Sequence, residues 1–270
     1  MSQSWMKHSP WTNFALISLL GILAGVPGHA FAAASSTKPS IVLVHGAFAD
    51  GSSWSKIIPM LEKDGYYAIA VQNPLTSFDE DVATTRRVID AQHGQVVVVG
   101  HSYGGGVITT AALGASNVKA LVYVAAFAPD DGEVIQPLLE KYPSKLGGAL
   151  VPDAAGFLYI DRAKFNEVFA ADVLERDRIV MAAVQKPIKG DIFGHKFGAP
   201  AWKQIPTWYL VASQDQAINP ALERMFAKRM GATTREVISS HVPFMSKPSV
   251  VVSIIEEAAR SMPKATADVH

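Results

Sequence analysis

The run Val96-Val97-Val98-Val99, followed at once by Gly100-His101-Ser102-Tyr103-Gly104-Gly105-Gly106, constrains this chain more than any other stretch. Four consecutive β-branched residues leave no polar side to face water, so the strand they form is buried on both faces. Such strands belong to parallel sheets covered by helices. The residues after them, Val107 to Leu113, read as the start of a helix, which sets Gly100-x-Ser102-x-Gly104 in a tight strand-to-helix turn. A serine there needs small neighbours because the backbone is strained and closely packed, and its hydroxyl emerges where the helix aims its free N–H groups. That context marks Ser102 as a candidate nucleophile. A dinucleotide loop does not fit, since Gly104-Gly105-Gly106 lacks the G-x-G-x-x-G spacing.

Serine is a poor nucleophile unless a base takes its proton and an acid orients the base. Cysteine is absent, which removes thiol nucleophiles, thiolate metal sites and disulfides together. With 24 basic and 24 acidic side chains the chain has no charge excess that would suggest nucleic acid as a partner. A hydrophobic content of 49% in 270 residues suits one large α/β domain.

Before that domain, Lys7 is the only charged residue among the first 37, and Phe14 to Ala24 is an apolar run too short to span a bilayer easily. Ala30-Phe31-Ala32 then supplies small residues at the positions a signal peptidase requires. Residues 1–32 are expected to be a secretory signal peptide, cut after Ala32 or Ala34, with export to the periplasm or medium and no stable membrane anchor after cleavage. A flexible lead-in, 33–39, follows.

Strands are expected at Ile41–Val44, Tyr67–Val71, Val96–Val99, Ala120–Ala125, Pro206–Ala212 and Thr234–Ile238. Helical stretches alternate with them at Ile57–Lys63, Asp79–Ala91, Pro220–Met230 and Ser249–Ser261. The alternation predicts a mostly parallel, doubly wound α/β sheet. Between Asp130 and Pro200 the strand rhythm stops, and Arg162 to Gln185 reads as helical. The core is therefore assigned to 40–129 and 201–262, a helical lid insertion to 130–200 and a C-terminal tail to 263–270.

Six histidines follow the leader. His101 lies within the turn and alternates away from the serine, His45 suits a loop brace, His93 is at the wrong end of its strand, His270 is terminal and His195 lies in the lid. His241, just past the last strand, is the expected base. Asp215, three residues past the strand ending at Ala212, is the expected acid, with Asp130 and Asp131 as alternatives. An N-cap role for Asp215 is less apt, because Asn219-Pro220 fills it. Oxyanion donors are expected at the N–H groups of Tyr103 and Ala47, with Phe48 next in line for the second. Phe48 and His195 are candidate substrate contacts. No metal or cofactor is implied.

Taken together, Leu43-Val44-His45-Gly46-Ala47, the Ser102 turn, the Asp215 loop and Ser240-His241-Val242-Pro243-Phe244 resemble the α/β-hydrolase fold enzymes, from about Ser40 to Met262. More narrowly they look like bacterial relatives of the plant methyl esterase and hydroxynitrile lyase group. The resemblance implies hydrolysis of a small, apolar carboxylic ester through an acyl-enzyme, without a cofactor. Amide, lactone or carbon–carbon cleavage, or ligand binding with little turnover, are the alternatives. Serine in place of aspartate at the turn disfavours dehalogenase and epoxide hydrolase chemistry, and Lys247, beyond Pro243, does not match the lysine expected of a hydroxynitrile lyase.

Overall fold

The computed structural model describes residues 38–262. The leader, the first part of the lead-in and the tail lie outside the described residues. In chain order the elements are β1 (Ser40–Val44), α1 (Ile58–Lys63), β2 (Tyr67–Ala70), α2 (Phe78–Asp90), β3 (Val96–His101), α3 (Tyr103–Ala111) and β4 (Val118–Val124). An insertion holds α4 (Ile135–Lys141), β5 (Leu150–Pro152), β6 (Phe157–Ile160), α5 (Phe165–Phe169), α6 (Glu175–Val184) and β7 (Ile188–Lys189). The chain then completes the sheet with β8 (Thr207–Ala212), α7 (Pro220–Arg229), β9 (Thr233–Val237), α8 (Pro243–Ser246) and α9 (Pro248–Ser261).

Six strands pair in the order β2-β1-β3-β4-β8-β9, all parallel. Leu43 of β1 lies opposite Val99 of β3, so the two strands end side by side. Every residue of β1, β3 and β8 is buried, as expected for strands covered on both faces, whereas the edge strands β2 and β9 are largely exposed or half-buried. Helix α3 packs against β3 and β1, and α9 against β4 and β8. Because β1 has β2 on one side and β3 on the other, the winding direction reverses between β1 and β3. Such a switch point leaves a crevice at the carboxyl ends of the strands. The loops after β1 and β3 open into it.

The insertion differs from the expected helical lid. Its strands β5, β6 and β7 form a separate antiparallel sheet, and the helical stretch is two helices broken at Ala170–Leu174. Strands of three, four and two residues are too short to show a period-two pattern, and Pro152 argues against a strand locally. Helix α6 buries none of its residues and exposes Ile179, Val180 and Val184.

Candidate active site

Ser102 joins β3 to α3 with φ 53° and ψ −125°, in the left-handed region that non-glycine residues rarely occupy. Its surroundings hold the strain in place. The Ser102 N–H donates to the Val124 carbonyl at 3.3 Å, and its own carbonyl accepts from Gly105 and Phe127, each at 3.0 Å. A Cβ at Gly104 would lie 2.6 Å from the carbonyl oxygens of Val44 and His45, and one at Gly46 would lie 2.7 Å from the Ser102 Cβ. The turn after β1 therefore packs directly on the serine, which puts the Ala47 and Phe48 segment beside it. Tyr103 opens α3, so its N–H belongs to the first turn, where helical N–H groups have no intrahelical acceptor.

The loops after β8 and β9 are joined: Ser213 N–H donates to the Val237 carbonyl at 2.9 Å and Gln214 N–H to that of Ser239 at 3.1 Å. Hence Asp215 and His241, 26 residues apart, meet. His241 Nδ1 lies 2.5 Å from Asp215 Oδ2, both side chains buried. Asp215 Oδ1 accepts N–H groups from Ala217 at 2.6 Å and Ile218 at 2.9 Å. An aspartate already accepting two donors requires the Nδ1 hydrogen to be on the imidazole, which leaves Nε2 as the end able to accept a proton. The other acid candidates are engaged elsewhere. Asp130 pairs with Lys203 at 2.5 Å, which holds its carboxyl below the usual range against the effect of burial. Asp131 is exposed.

Two histidines brace this edge. His45 Nδ1–H donates to its neighbour's carbonyl, Gly46, at 2.8 Å, while Nε2 accepts the Asn73 N–H at 3.0 Å. Burial drives its pKa down to about 4, so it stays neutral and ties the turn after β1 to the loop after β2. His101 Nε2–H donates to the His241 carbonyl at 2.9 Å, and the two rings are 4.7 Å apart. Burial, then repulsion from His241, pushes His101 well below its ordinary pKa. His101 packs against the loop that carries His241, a contact that only the fold creates. Tyr103 sends its hydroxyl to the buried Asp81 of α2, at 2.6 Å, making its side chain a core residue. Asp172, between α5 and α6, accepts from Ser240 and so ties the insertion to the loop carrying His241.

A cavity of about 260 Å³ borders this edge, walled by Phe48, Phe165, Phe169, Met181 and Met245 on its apolar side and by Ser52, Lys56 and Asp177 on its polar side. Phe169 packs its ring 4.8 Å from that of His241 and edge-on to Phe48 at 6.5 Å, so these two phenylalanines are shared between cavity and catalytic edge. His195 does not line it; its ring packs on Phe78 at 4.1 Å and Phe197 at 5.3 Å. Lys247 is exposed beyond α8. Among the described residues no group of three or more His, Asp or Glu is arranged to hold a metal ion.

Comparison with known proteins agrees with this architecture. The chain is 28% identical over 245 residues to the alpha/beta hydrolase nvfD of Aspergillus novofumigatus, covering 82% of this chain and 97% of that protein. It is 23% identical over 237 residues to methylesterase 8 of Arabidopsis thaliana, covering 79% and 87%. The crystal structure of polyneuridine aldehyde esterase superposes with a TM-score of 0.71 at 18% identity, over 82% of this chain and 98% of that one. Residues 41–254 match the model of the alpha/beta hydrolase family, and the chain belongs to that family.

Proposed function

We propose that the protein is an exported serine hydrolase of small, predominantly apolar carboxylic esters, with Ser102 as nucleophile, His241 as base and then acid, and Asp215 as the group that orients it. The observation that carries this reading is the buried His241–Asp215 pair at the same sheet edge as the strained Ser102 turn. In the reaction the Ser102 hydroxyl attacks the ester carbonyl as His241 Nε2 takes its proton. The N–H groups of Tyr103 and Ala47 stabilise the oxyanion, and the imidazolium returns the proton to the departing alcohol. Water activated by the same imidazole then releases the acid from Ser102.

The apolar cavity wall supports an apolar acyl or alcohol group. Methylesterase 8 and polyneuridine aldehyde esterase carry esterase names, which favours an ester over an amide. Hydrolysis of p-nitrophenyl acetate tests the reading: turnover abolished in S102A supports it, and equal rates for the two proteins exclude it. Export is tested separately by expressing the full chain and sequencing the N-terminus of the protein recovered outside the cytoplasm, which should begin after Ala32 or Ala34.

A further inference from the structure

Behind the Asp215 loop lies a second carboxyl that the proposed reaction does not use. Glu223 stands in the first turn of α7, where an acidic residue ordinarily faces water and favours the positive end of the helix dipole. Here its side chain is fully buried. Oε2 accepts the N–H of Ala212, the last residue of β8, at 3.0 Å, and Oε1 is buried with no hydrogen-bond partner among the described residues. The Asp215 N–H donates to the Ala212 carbonyl at 3.1 Å, so both acids are anchored on the residue that ends β8, and Asp215 is the strongest charge acting on the Glu223 carboxyl. Arg224 acts more weakly, its guanidinium being bound to Glu236. The remaining titratable neighbour, Tyr209 of β8, has its hydroxyl committed to the backbone of Ala126.

Two adjoining carboxyls in a dry interior do not both ionise, and the donors around them decide which one holds the charge. Asp215 accepts two backbone N–H groups and the His241 Nδ1–H, whereas Glu223 accepts one N–H. The charge belongs on Asp215. Burial, then the Asp215 charge, pushes the Glu223 carboxyl well above its ordinary range. Placing the hydrogen on Oε1 also turns a buried acceptor that has no donor among the described residues into a donor.

We propose that Glu223 is a positioning residue: a neutral carboxylic acid that donates its O–H to the Asp215 carboxylate and so fixes how that carboxylate meets His241. This rests on the reading of Asp215 as the orienting acid. The proton stays on Glu223 throughout turnover, so no step of the reaction passes through it.

The test compares wild type, E223Q, E223L and D215N on p-nitrophenyl acetate, together with infrared difference spectra. Wild type minus E223Q at neutral pH should show the C=O stretch of a protonated carboxyl that shifts in D2O. E223L should lower kcat about tenfold, the scale of one hydrogen bond to a charged group, with KM little changed. Glutamine should restore kcat and leave the acid limb of the pH–rate profile where wild type has it, because one neutral donor replaces another. No protonated-carboxyl band, or an acid limb displaced to lower pH in E223Q, would mean that Glu223 is ionised and would overturn the proposal. If E223L does not fold, the band and the E223Q profile decide. D215N separates the two readings: full activity removes Asp215 from its role and the Glu223 proposal with it, whereas an inactive D215N together with no band in the wild type minus E223Q spectrum removes Glu223 alone.

Discussion

The turn from β3 into α3 and the helix α6 border the same catalytic edge and are held in opposite ways. Val96 to Val99 are completely buried, and Ser102 keeps forbidden-side dihedrals only because backbone on both sides leaves it nowhere to relax. Helix α6 buries none of its residues; Val180 is 58% exposed and Val184 55%, yet both line the cavity. On the proposed reading, chemistry tolerates little positional error and its residues sit in turns held at the strand ends, whereas substrate fit tolerates adjustment and falls to an element with little packing of its own. Altering the first region should cost activity or folding outright. Altering the second should move KM and little else.

The largest expected effect is on activity alone. S102A should reduce kcat at least about 10⁴-fold while the urea-unfolding midpoint stays at the wild-type value, because it deletes one oxygen from a turn held by backbone contacts. A loss below about tenfold would detach the strained turn from catalysis. G104A strikes the same turn through the fold. Its methyl would enter the space of the Val44 and His45 carbonyl oxygens, and a cost above about 3 kcal/mol, read as loss of soluble protein or a steep drop in urea midpoint, is expected.

Next comes the pH dependence of the buried braces. His45 has an ordinary pKa of 6.5 and a folded one of about 4, so across that window the unfolded chain binds a proton that the folded chain refuses. Stability is therefore fully present above pH 6.5 and falls as the pH drops towards 4, by about 3 kcal/mol for His45, with His101 adding in the same sense. Urea titrations at either end of the window should show this slope in wild type and less of it in H45Q. An equal slope in both would free His45 from the account.

The same contrast governs what could be read along the chain. The sheet was legible because β-branched runs and strand-end glycines carry their meaning locally; expected strands and observed ones differ by one or two residues at their ends. Ser102, Asp215 and His241 stand out along the chain as candidates because each follows a strand at its carboxyl end. What joins the last two, the hydrogen bonds between the loops after β8 and β9, depends on sheet order and is not written in either loop. Glu223 could not be found in this way, since three residues past Asn219-Pro220 it looks like any acid in a first helical turn. The insertion departs from the expected helical lid for a different reason. Its strands are too short for periodicity, and α6 carries Ile179, Val180 and Val184 as an apolar set that a pattern assigns to a core. Substituting V180S should accordingly leave stability within about 0.5 kcal/mol and raise KM for longer-chain esters more than for acetate.

The smallest effect tests how far α6 is held by an ion pair to the body near the cavity. Lys56 Nζ lies 2.7 Å from Asp177 Oδ2 and donates to the Met245 carbonyl at 3.1 Å, so a single ammonium links α6 to the segment between β1 and α1 and to α8. The Lys56 ammonium holds the Asp177 carboxyl below the usual range, and its contribution is present above the ordinary aspartate pKa and fades as acid titrates it. Both side chains are partly exposed, at 35% and 22%, so water screens the pair to about 0.2–1 kcal/mol, and molar salt should remove most of that. K56M is thus expected to shift the urea midpoint only slightly and to lose the salt dependence of KM. A loss above about 2 kcal/mol would mean that α6 unfolds only with the sheet, and the division between a rigid candidate catalytic edge and a loosely held cavity wall would fail at this contact.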